Sequence, residues 1–304
     1  MMQLLTSILL ASLLAPAVFS FFDRQPIGRS YGTVSAERPA APERIADDSL
    51  GIKTTARAVL VADKASGAVL YAKHDQASQP IASITKLMTA LVFLDHNPGW
   101  ETKVTVTAAD QRDGGIVYLN QGETVTVRDL FHLMLVASAN EAAAALARST
   151  GLENFVAAMN QKAAELGMNQ SQFTDETGLS AGNIASPRDL VTLAGAAFSQ
   201  PDLARAVTTS QYLFTVGSSG RRRLAVSTDQ LLQSFINTGP YRITGAKTGH
   251  LDEAGYTLVV TVQKDNGPTV TLVLLGAASQ PDRWQEAKGL VDWVFGHYRW
   301  PDES

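Results

Sequence analysis

The chain has 304 residues, 45% of them hydrophobic, enough to fill one large globular core or two smaller ones, so disorder is not the default. A formal net charge of -4 argues against a protein whose affinity comes from covering phosphates, and nucleic acid is not an expected partner. Cysteine is absent, which excludes thiol nucleophiles, disulfides and Cys-ligated metals; the five histidines (His74, His96, His132, His250, His297) form no H-E-x-x-H pair, so neither metal nor cofactor is expected.

In chain order, residues 4–22 are almost wholly apolar and are followed by Asp23 and Arg24. Residues 1–22 therefore read as an export signal or as an uncleaved N-terminal membrane anchor. Small-residue cleavage points follow Ala17 and Ser20, a positive n-region is missing, and the apolar run is just long enough to span a bilayer. No Cys follows it, as a lipoprotein would require. Residues 23–50 mix Pro, Ala, Ser, Arg and Glu without periodicity, as a linker does, and one folded domain is expected over 51–300.

From Ala56 two alternating apolar stretches surround Asp63-Lys64-Ala65-Ser66-Gly67, a hairpin pattern. After Pro80 the period becomes helical: Ile84, Leu87, Met88, Leu91 and Val92 share a face, with Ser83 as N-cap or first-turn residue. Thr126 and Asp129 resemble a capping box ahead of a helix over 130–137. A second helix follows Asn140 and stops at Gly151, and a third over 153–166 meets Gly167 as an αL cap. Ser186, Pro187 and Asp189 satisfy the N-cap, N1 and N3 preferences of a fourth. From Gln211 the period returns to two. Stretches 212–216 and 224–227 flank Gly217-Ser218-Ser219-Gly220, and 256–262 and 269–275 flank Lys264-Asp265-Asn266-Gly267, so both pairs read as antiparallel. An amphipathic helix carrying Trp284, Ala287, Val291, Val294 and Phe295 closes the chain. Strands first, helices in the middle and strands last predict an α+β fold, an antiparallel sheet flanked by helices with a helical subdomain.

Ser83-Ile84-Thr85-Lys86 is the only Ser-x-x-Lys in the chain, and on a helix that spacing sets both side chains on one face. A serine hydroxyl is a poor nucleophile until a base takes its proton, and an ammonium can do so only when burial and neighbouring cations depress its pKa. At a helix N-terminus the backbone N–H groups can face a developing oxyanion, and the positive dipole end disfavours protonated lysine. Ser138-Ala139-Asn140, the only Ser-x-Asn, falls between two expected helices, where polar side chains can turn into a cleft. Lys247-Thr248-Gly249, the only Lys-Thr-Gly, is placed at the end of an expected strand. Lys247 and Thr248 could hold a carboxylate there, and Gly249 would let a substrate backbone come close. Each motif alone is short enough to arise by chance; the ordered set carries the argument.

These motifs, with PIASITKLMTA, LGMNQSQFTDETGLSAGNIASPRDL and GAKTGHLDEAGYTLVV around them, resemble the low-molecular-mass penicillin-binding proteins that act as D-alanyl-D-alanine carboxypeptidases and endopeptidases. The likeness runs over residues 54–296. It implies a β-lactamase/transpeptidase-like fold and an acyl-enzyme reaction on peptidoglycan stem peptides. It also implies covalent inhibition by β-lactam antibiotics and an exported protein of the periplasm or cell envelope, with N-terminal membrane association left open. By this resemblance Ser83 is the acylated nucleophile, Lys86 its base, Ser138 a proton relay and Asn140 a binder of the substrate peptide. Lys247 and Thr248 then hold the terminal carboxylate, with the backbone N–H groups of Ser83 and His250 as oxyanion hole. The chain is more similar to the endopeptidase branch, because the second β-domain and C-terminal amphipathic anchor usual in the carboxypeptidase branch have no counterpart here.

Rival readings remain. Gly178-Leu179-Ser180-Ala181-Gly182 fits the nucleophile elbow of an α/β-type serine hydrolase, but that motif needs a strand before it and a helix directly after it, and neither is expected. Tyr118-Leu119-Asn120, which could replace Ser-x-Asn, is read as a cleft-edge loop. Arg221-Arg222-Arg223 reads as a solvated strand end rather than a basic patch, and the side chain of His250 as solvated. Glu176 is a candidate deacylating carboxylate of a β-lactamase, but the Glu-x-x-Leu-Asn pattern is missing, so slow turnover of penicillins is expected. A non-enzymatic cell-wall binding module is the remaining alternative.

Overall fold

The computed structural model of the chain describes residues 39–301 apart from 47 and 50, so the segment read as export signal or anchor, and most of the linker, lie outside the described residues. Strands β1 (Glu43–Arg44), β2 (Ala58–Asp63), β3 (Val69–Lys73) and β4 (Gln79–Pro80) lead into a 3-10 turn at Ala82–Ile84 and then α1 (Thr85–Asp95). A short hairpin of β5 (Lys103–Thr105) and β6 (Thr124–Thr126) precedes α2 (Val127–Val136), α3 (Asn140–Ser149) and α4 (Phe155–Glu165). β7 (Ile184–Ala185) pairs back onto β4, and α5 (Pro187–Phe198) and α6 (Pro201–Val207) follow. The last part holds the hairpin of β8 (Gln211–Thr215) and β9 (Arg222–Val226) and the long strands β10 (Tyr241–Leu251), β11 (Gly255–Lys264) and β12 (Thr269–Ala277). Then come α7 (Gln280–His297) and β13 (Tyr298–Arg299), which pairs with β1 in the stretch read as linker.

The main sheet has the order β10-β11-β12-β2-β3, antiparallel throughout. Its central strands are apolar on both faces, and successive residues go to opposite sides, as the two-residue pleat requires. Val259, Val273 and Leu275 join a core with α1, α2, α3 and α5, whereas Leu258, Val260, Leu272 and Leu274 pack against Trp284, Leu290, Val291 and Val294 of α7. The helices of the middle segment therefore cover one face and α7 the other.

Local signals behave as their chemistry dictates. Thr126 Oγ1 accepts from the Asp129 N–H while the Asp129 carboxylate accepts from the Thr126 N–H, a complete capping box. Ser186 caps α5 with Pro187 in its first turn. Between β11 and β12, Asp265 and Asn266 both take positive φ and the Gly267 N–H closes on the Lys264 carbonyl, a type I′ turn.

Three expectations are corrected. Of the two places read for Ser83, the N-cap is ruled out and the first turn kept: it sits within the 3-10 turn that leads into α1 at Thr85, and no helix N–H claims its hydroxyl. Lys247-Thr248-Gly249 lies inside β10 rather than at its end, because pairing with β11 continues to Leu251↔Gly255. Arg223 is not a solvated strand end: it pairs with Glu123 and donates to the Tyr118 carbonyl.

β10 is an edge strand, and its bulge between Ile243 and Gly245 is seated under the ring of Phe198 from α5. A methyl group at 245 would occupy the same space as that ring. Gly245→Ala is therefore expected to cost about 1–3 kcal/mol of stability, read in a thermal melt as a drop of roughly 2–4 °C per kcal/mol.

Candidate active site

Ser83 is carried on the 3-10 turn directly after Ala82, which holds a left-handed backbone (φ 48°) that residues with a Cβ adopt only at a cost. One helical turn on, Lys86 is fully buried. Its Nζ lies 3.0 Å from Ser83 Oγ, 2.7 Å from Asn140 Oδ1 and 2.5 Å from the Thr177 carbonyl oxygen. Asn140 Nδ2 donates to the Gly114 carbonyl, which turns the amide oxygen toward the lysine. Two of the three Lys86 partners are therefore carbonyl oxygens that can only accept. A neutral amine in this place keeps its two hydrogens on them and presents its lone pair to the Ser83 hydroxyl. Burial pushes the Lys86 ammonium from 10.5 down to about 7, against Asp175, Glu141 and Glu176, which favour its charge.

Ser138 occupies the break between α2 and α3 at φ 59°, where the Ala139 N–H returns to the Leu133 carbonyl and closes the end of α2. Lys247 reaches across from β10, buried, and donates to Ser138 Oγ at 3.0 Å and to the Thr248 carbonyl at 3.0 Å. Its own burial, then the charges of Lys86 and Arg283, hold its pKa well below the usual lysine value, and Asp229 opposes them. Thr248 Oγ1 shares a hydrogen bond of 2.7 Å with Thr228 Oγ1. A Cβ at Gly249 would stand 2.9 Å from the Ser83 nitrogen and from the Ile81 oxygen, so glycine alone lets β10 lie this close to the Ser83 turn. The His250 ring is exposed and stacks on Tyr256 at 4.1 Å. A cleft of about 570 Å³, whose lining includes Ser83, Ser138, Thr248, Gly249, His250 and Arg283, brings the three motifs to one place. It continues past Asn140, Gly178 and Leu179 in a further 500 Å³. A separate cavity of about 870 Å³ lies away from these groups, beside Asp63, Asp265 and Trp300.

Several residues of the site escape a reading of the motifs. Asp175 accepts from the backbone N–H groups of Thr177, Gly178 and Ser180 and from the side chains of Thr177 and Asn183. That network folds the 174–183 loop so that the Thr177 carbonyl meets Lys86. Its signal, Asp followed by Thr and Gly at the second and third places, is an Asx-turn pattern that could have been found. Ser180 lies in the same loop, hydrogen-bonded to Thr174 and the Gly182 N–H, with no strand before it or helix after it, so the nucleophile-elbow geometry is missing there. Glu141 is buried and accepts from the Tyr118 and Leu119 N–H groups, fixing Tyr118 at the cleft edge as expected. Glu176 is engaged by Arg112 at 2.8 Å. Arg283 of α7 is buried, sandwiched near Trp284 and Tyr256, and its Nη1 donates to the Gly249 carbonyl at 3.0 Å.

With lysine rather than histidine against the serine, and a sheet edge across the cleft from both, the chain falls in the class of Ser-x-x-Lys serine hydrolases. The family model described as D-alanyl-D-alanine carboxypeptidase matches residues 43–279. A D-alanyl-D-alanine endopeptidase of Haemophilus influenzae is 34% identical over 78% of this chain and 81% of its own. A mutant of the Streptomyces K15 DD-transpeptidase superposes with a TM-score of 0.73 at 28% identity, covering 81% of this chain and 99% of that one. Penicillin-binding protein D2 of Listeria monocytogenes, in its cefotaxime-bound form, gives 0.71 at 29% identity, covering 81% and 100%. The chain belongs to the D-alanyl-D-alanine carboxypeptidase family, on a penicillin-binding fold, and is a serine-type peptidase of the carboxypeptidase/endopeptidase kind.

Gly178 (φ 83°) presses on the Ala82 carbonyl and lies within 2.9 Å of the Ser83 nitrogen, counted from where a Cβ would be. Gly178→Ala must push the loop off the turn and take Thr177 with it. Covalent labelling by a fluorescent penicillin is expected to slow by about 10²-fold, the scale of an ångström misplacement, while the melting curve stays cooperative.

Proposed function

We propose that Ser83 is the acylated nucleophile and Lys86 its general base, and that the enzyme cuts D-alanyl bonds in peptidoglycan stem peptides. The observation that carries this reading is the set of partners around Lys86 Nζ: two obligate acceptors and one hydroxyl, so the free lone pair faces Ser83. Ser83 Oγ attacks the D-alanyl carbonyl as its proton passes to Lys86. The resulting oxyanion rests on the backbone N–H groups of Ser83 and His250. The C–N bond then breaks, the leaving amine takes a proton delivered through Ser138, and the acyl group stays on Ser83 until water releases it. Asn140 holds the substrate peptide. Lys247 and Thr248 hold the carboxylate of the leaving residue, and Arg283, buried behind the same strand and reaching its Gly249 carbonyl, adds to that site.

A cross-link between stem peptides is the preferred bond in this reading, in keeping with the endopeptidase name of the Haemophilus relative. A β-lactam would enter the same cleft and acylate Ser83, as the cefotaxime-bound Listeria structure suggests by analogy. A β-lactamase reading lacks a free deacylating carboxylate, since Glu176 is tied to Arg112. Residues 1–22 would send the protein to the periplasm or cell envelope, as a cleaved signal or as an anchor; N-terminal sequencing of protein recovered from the envelope fraction distinguishes the two.

Fluorescent penicillin is expected to label the purified protein covalently, and equal labelling of Ser83→Ala would refute the assignment. Digestion of isolated sacculi, with products weighed by mass spectrometry, should show loss of cross-linked dimers; release of D-alanine alone would shift the preference to carboxypeptidase. Because the base must be neutral and Lys86 titrates near 7, kcat/KM for acylation should rise about tenfold per pH unit below that value and lose this acid limb above it. Lys86→Arg, which stays charged, should lose about 10²–10⁴-fold in acylation at every pH.

A further inference from the structure

Two basic side chains are buried at the carboxylate site, Lys247 at 1% and Arg283 at 5% exposure. Carrying charge at this depth is costly unless an anion lies near. The segment Ser227–Thr228–Asp229, which leaves β9 and meets β10 at Thr248, carries one. Thr228 lines the cleft and bonds Thr248, and the Asp229 N–H is held by Ser227 Oγ. Asp229 is 6% exposed; its Oδ1 accepts from the Leu231 N–H at 2.9 Å, and its Oδ2 is buried with no hydrogen-bond partner. Arg283 mirrors it: its Nε is also buried and unpartnered. A carboxylate and a guanidinium, each buried with one polar atom unpartnered, and a buried amine that feels the charge of both, make a loose charge cluster rather than a closed ion pair.

We propose that Asp229 is the resident counter-ion of the carboxylate site: its charge keeps Lys247 protonated while the cleft is empty, and the substrate carboxylate takes over that role on binding. This rests on the assignment of Lys247 to the carboxylate. Asp229 is a positioning residue, acting through Lys247. The groups facing Lys247 are Lys86 from α1 and Arg283 from α7, which disfavour its charge, and Asp229, which favours it. Those facing Asp229 are Arg283, Lys247 and the Leu231 N–H, and burial still holds its carboxyl up near 6. Tyr256 of β11 faces Arg283. Lys86 is governed by its burial, with Asp175, Glu141 and Glu176 as the opposing charges, so removing the Asp229 charge does not act on the base directly.

The signature is a pH profile. The acid limb of kcat/KM belongs to Lys86 and the alkaline limb to loss of the Lys247 proton in the free enzyme. Asp229→Asn keeps the shape and the acceptor for Leu231 but removes the charge. Its alkaline limb is expected to move to lower pH by about one unit or more, with the acid limb unmoved. Above that limb KM rises, while kcat at saturation is retained because the bound carboxylate then supplies the charge. Asp229→Glu should return the limb toward the parent position, and Asp229→Ser gives the same charge removal should asparagine disturb the fold. In a Lys247→Arg background the guanidinium cannot deprotonate, so the alkaline limb should vanish and Asp229→Asn should move nothing. An unchanged alkaline limb in Asp229→Asn, with Lys247→Arg abolishing that limb, overturns the counter-ion alone. A limb that survives Lys247→Arg overturns the assignment of Lys247 itself and the inference with it.

Discussion

The burial of one amine is the constraint on which the rest of the site depends. Lowering Lys86 from 10.5 to about 7 corresponds to roughly 5 kcal/mol of bias against its charged form. A lysine that keeps contact with water cannot be biased so far. Asn140 from α3, Thr177 from the 174–183 loop and the Ser83 turn close around Nζ, and each arrives from a different part of the chain. The helical middle segment is therefore more than a lid: without it Lys86 would be an ordinary ammonium and Ser83 an ordinary hydroxyl.

Closeness is achieved by omission of side chains. Gly178 from the 174–183 loop and Gly249 from β10 both approach the Ser83 turn, and neither position has room for a methyl group. Asp175 and Glu141, neither of which touches the Ser83 hydroxyl, spend their carboxylates on backbone N–H groups and so hold the 174–183 and 114–119 loops. The negative charge near Lys86 is thus already engaged in hydrogen bonds. That lets burial outweigh it.

Much of this was legible in the amino-acid sequence wherever the signal is local. The Thr126–Asp129 capping box, the Ser186 cap, the Asp265-Asn266-Gly267 turn, the sheet hairpins and the three motifs each depend on residues within a few positions of one another. What was hidden depends on distance. The Thr177 carbonyl has no side-chain identity, Arg283 belongs to a helix whose pattern reads as plain amphipathicity, and Asp229 looks like any loop aspartate until its burial is known. Of the two places read for Ser83, N-cap or first turn, the N-cap fails for a different reason. Helical periodicity begins where the apolar face begins, whereas the backbone holds a tighter turn for three residues first.

Ala82 and Ser138 both hold left-handed backbones although each carries a Cβ, and they flank the reactive centre from either side. Such conformations cost roughly 1–2 kcal/mol apiece relative to glycine, and the surrounding packing supplies the force that holds them. At 138 the strain is irreducible, since removing the Cβ would also remove the hydroxyl that Lys247 grips. At 82 only a methyl group is at stake. Any attempt to make this enzyme hardier would find relief available on one flank of Ser83 and forbidden on the other, a boundary between durability and the polar grip on Ser138 drawn through a single cleft.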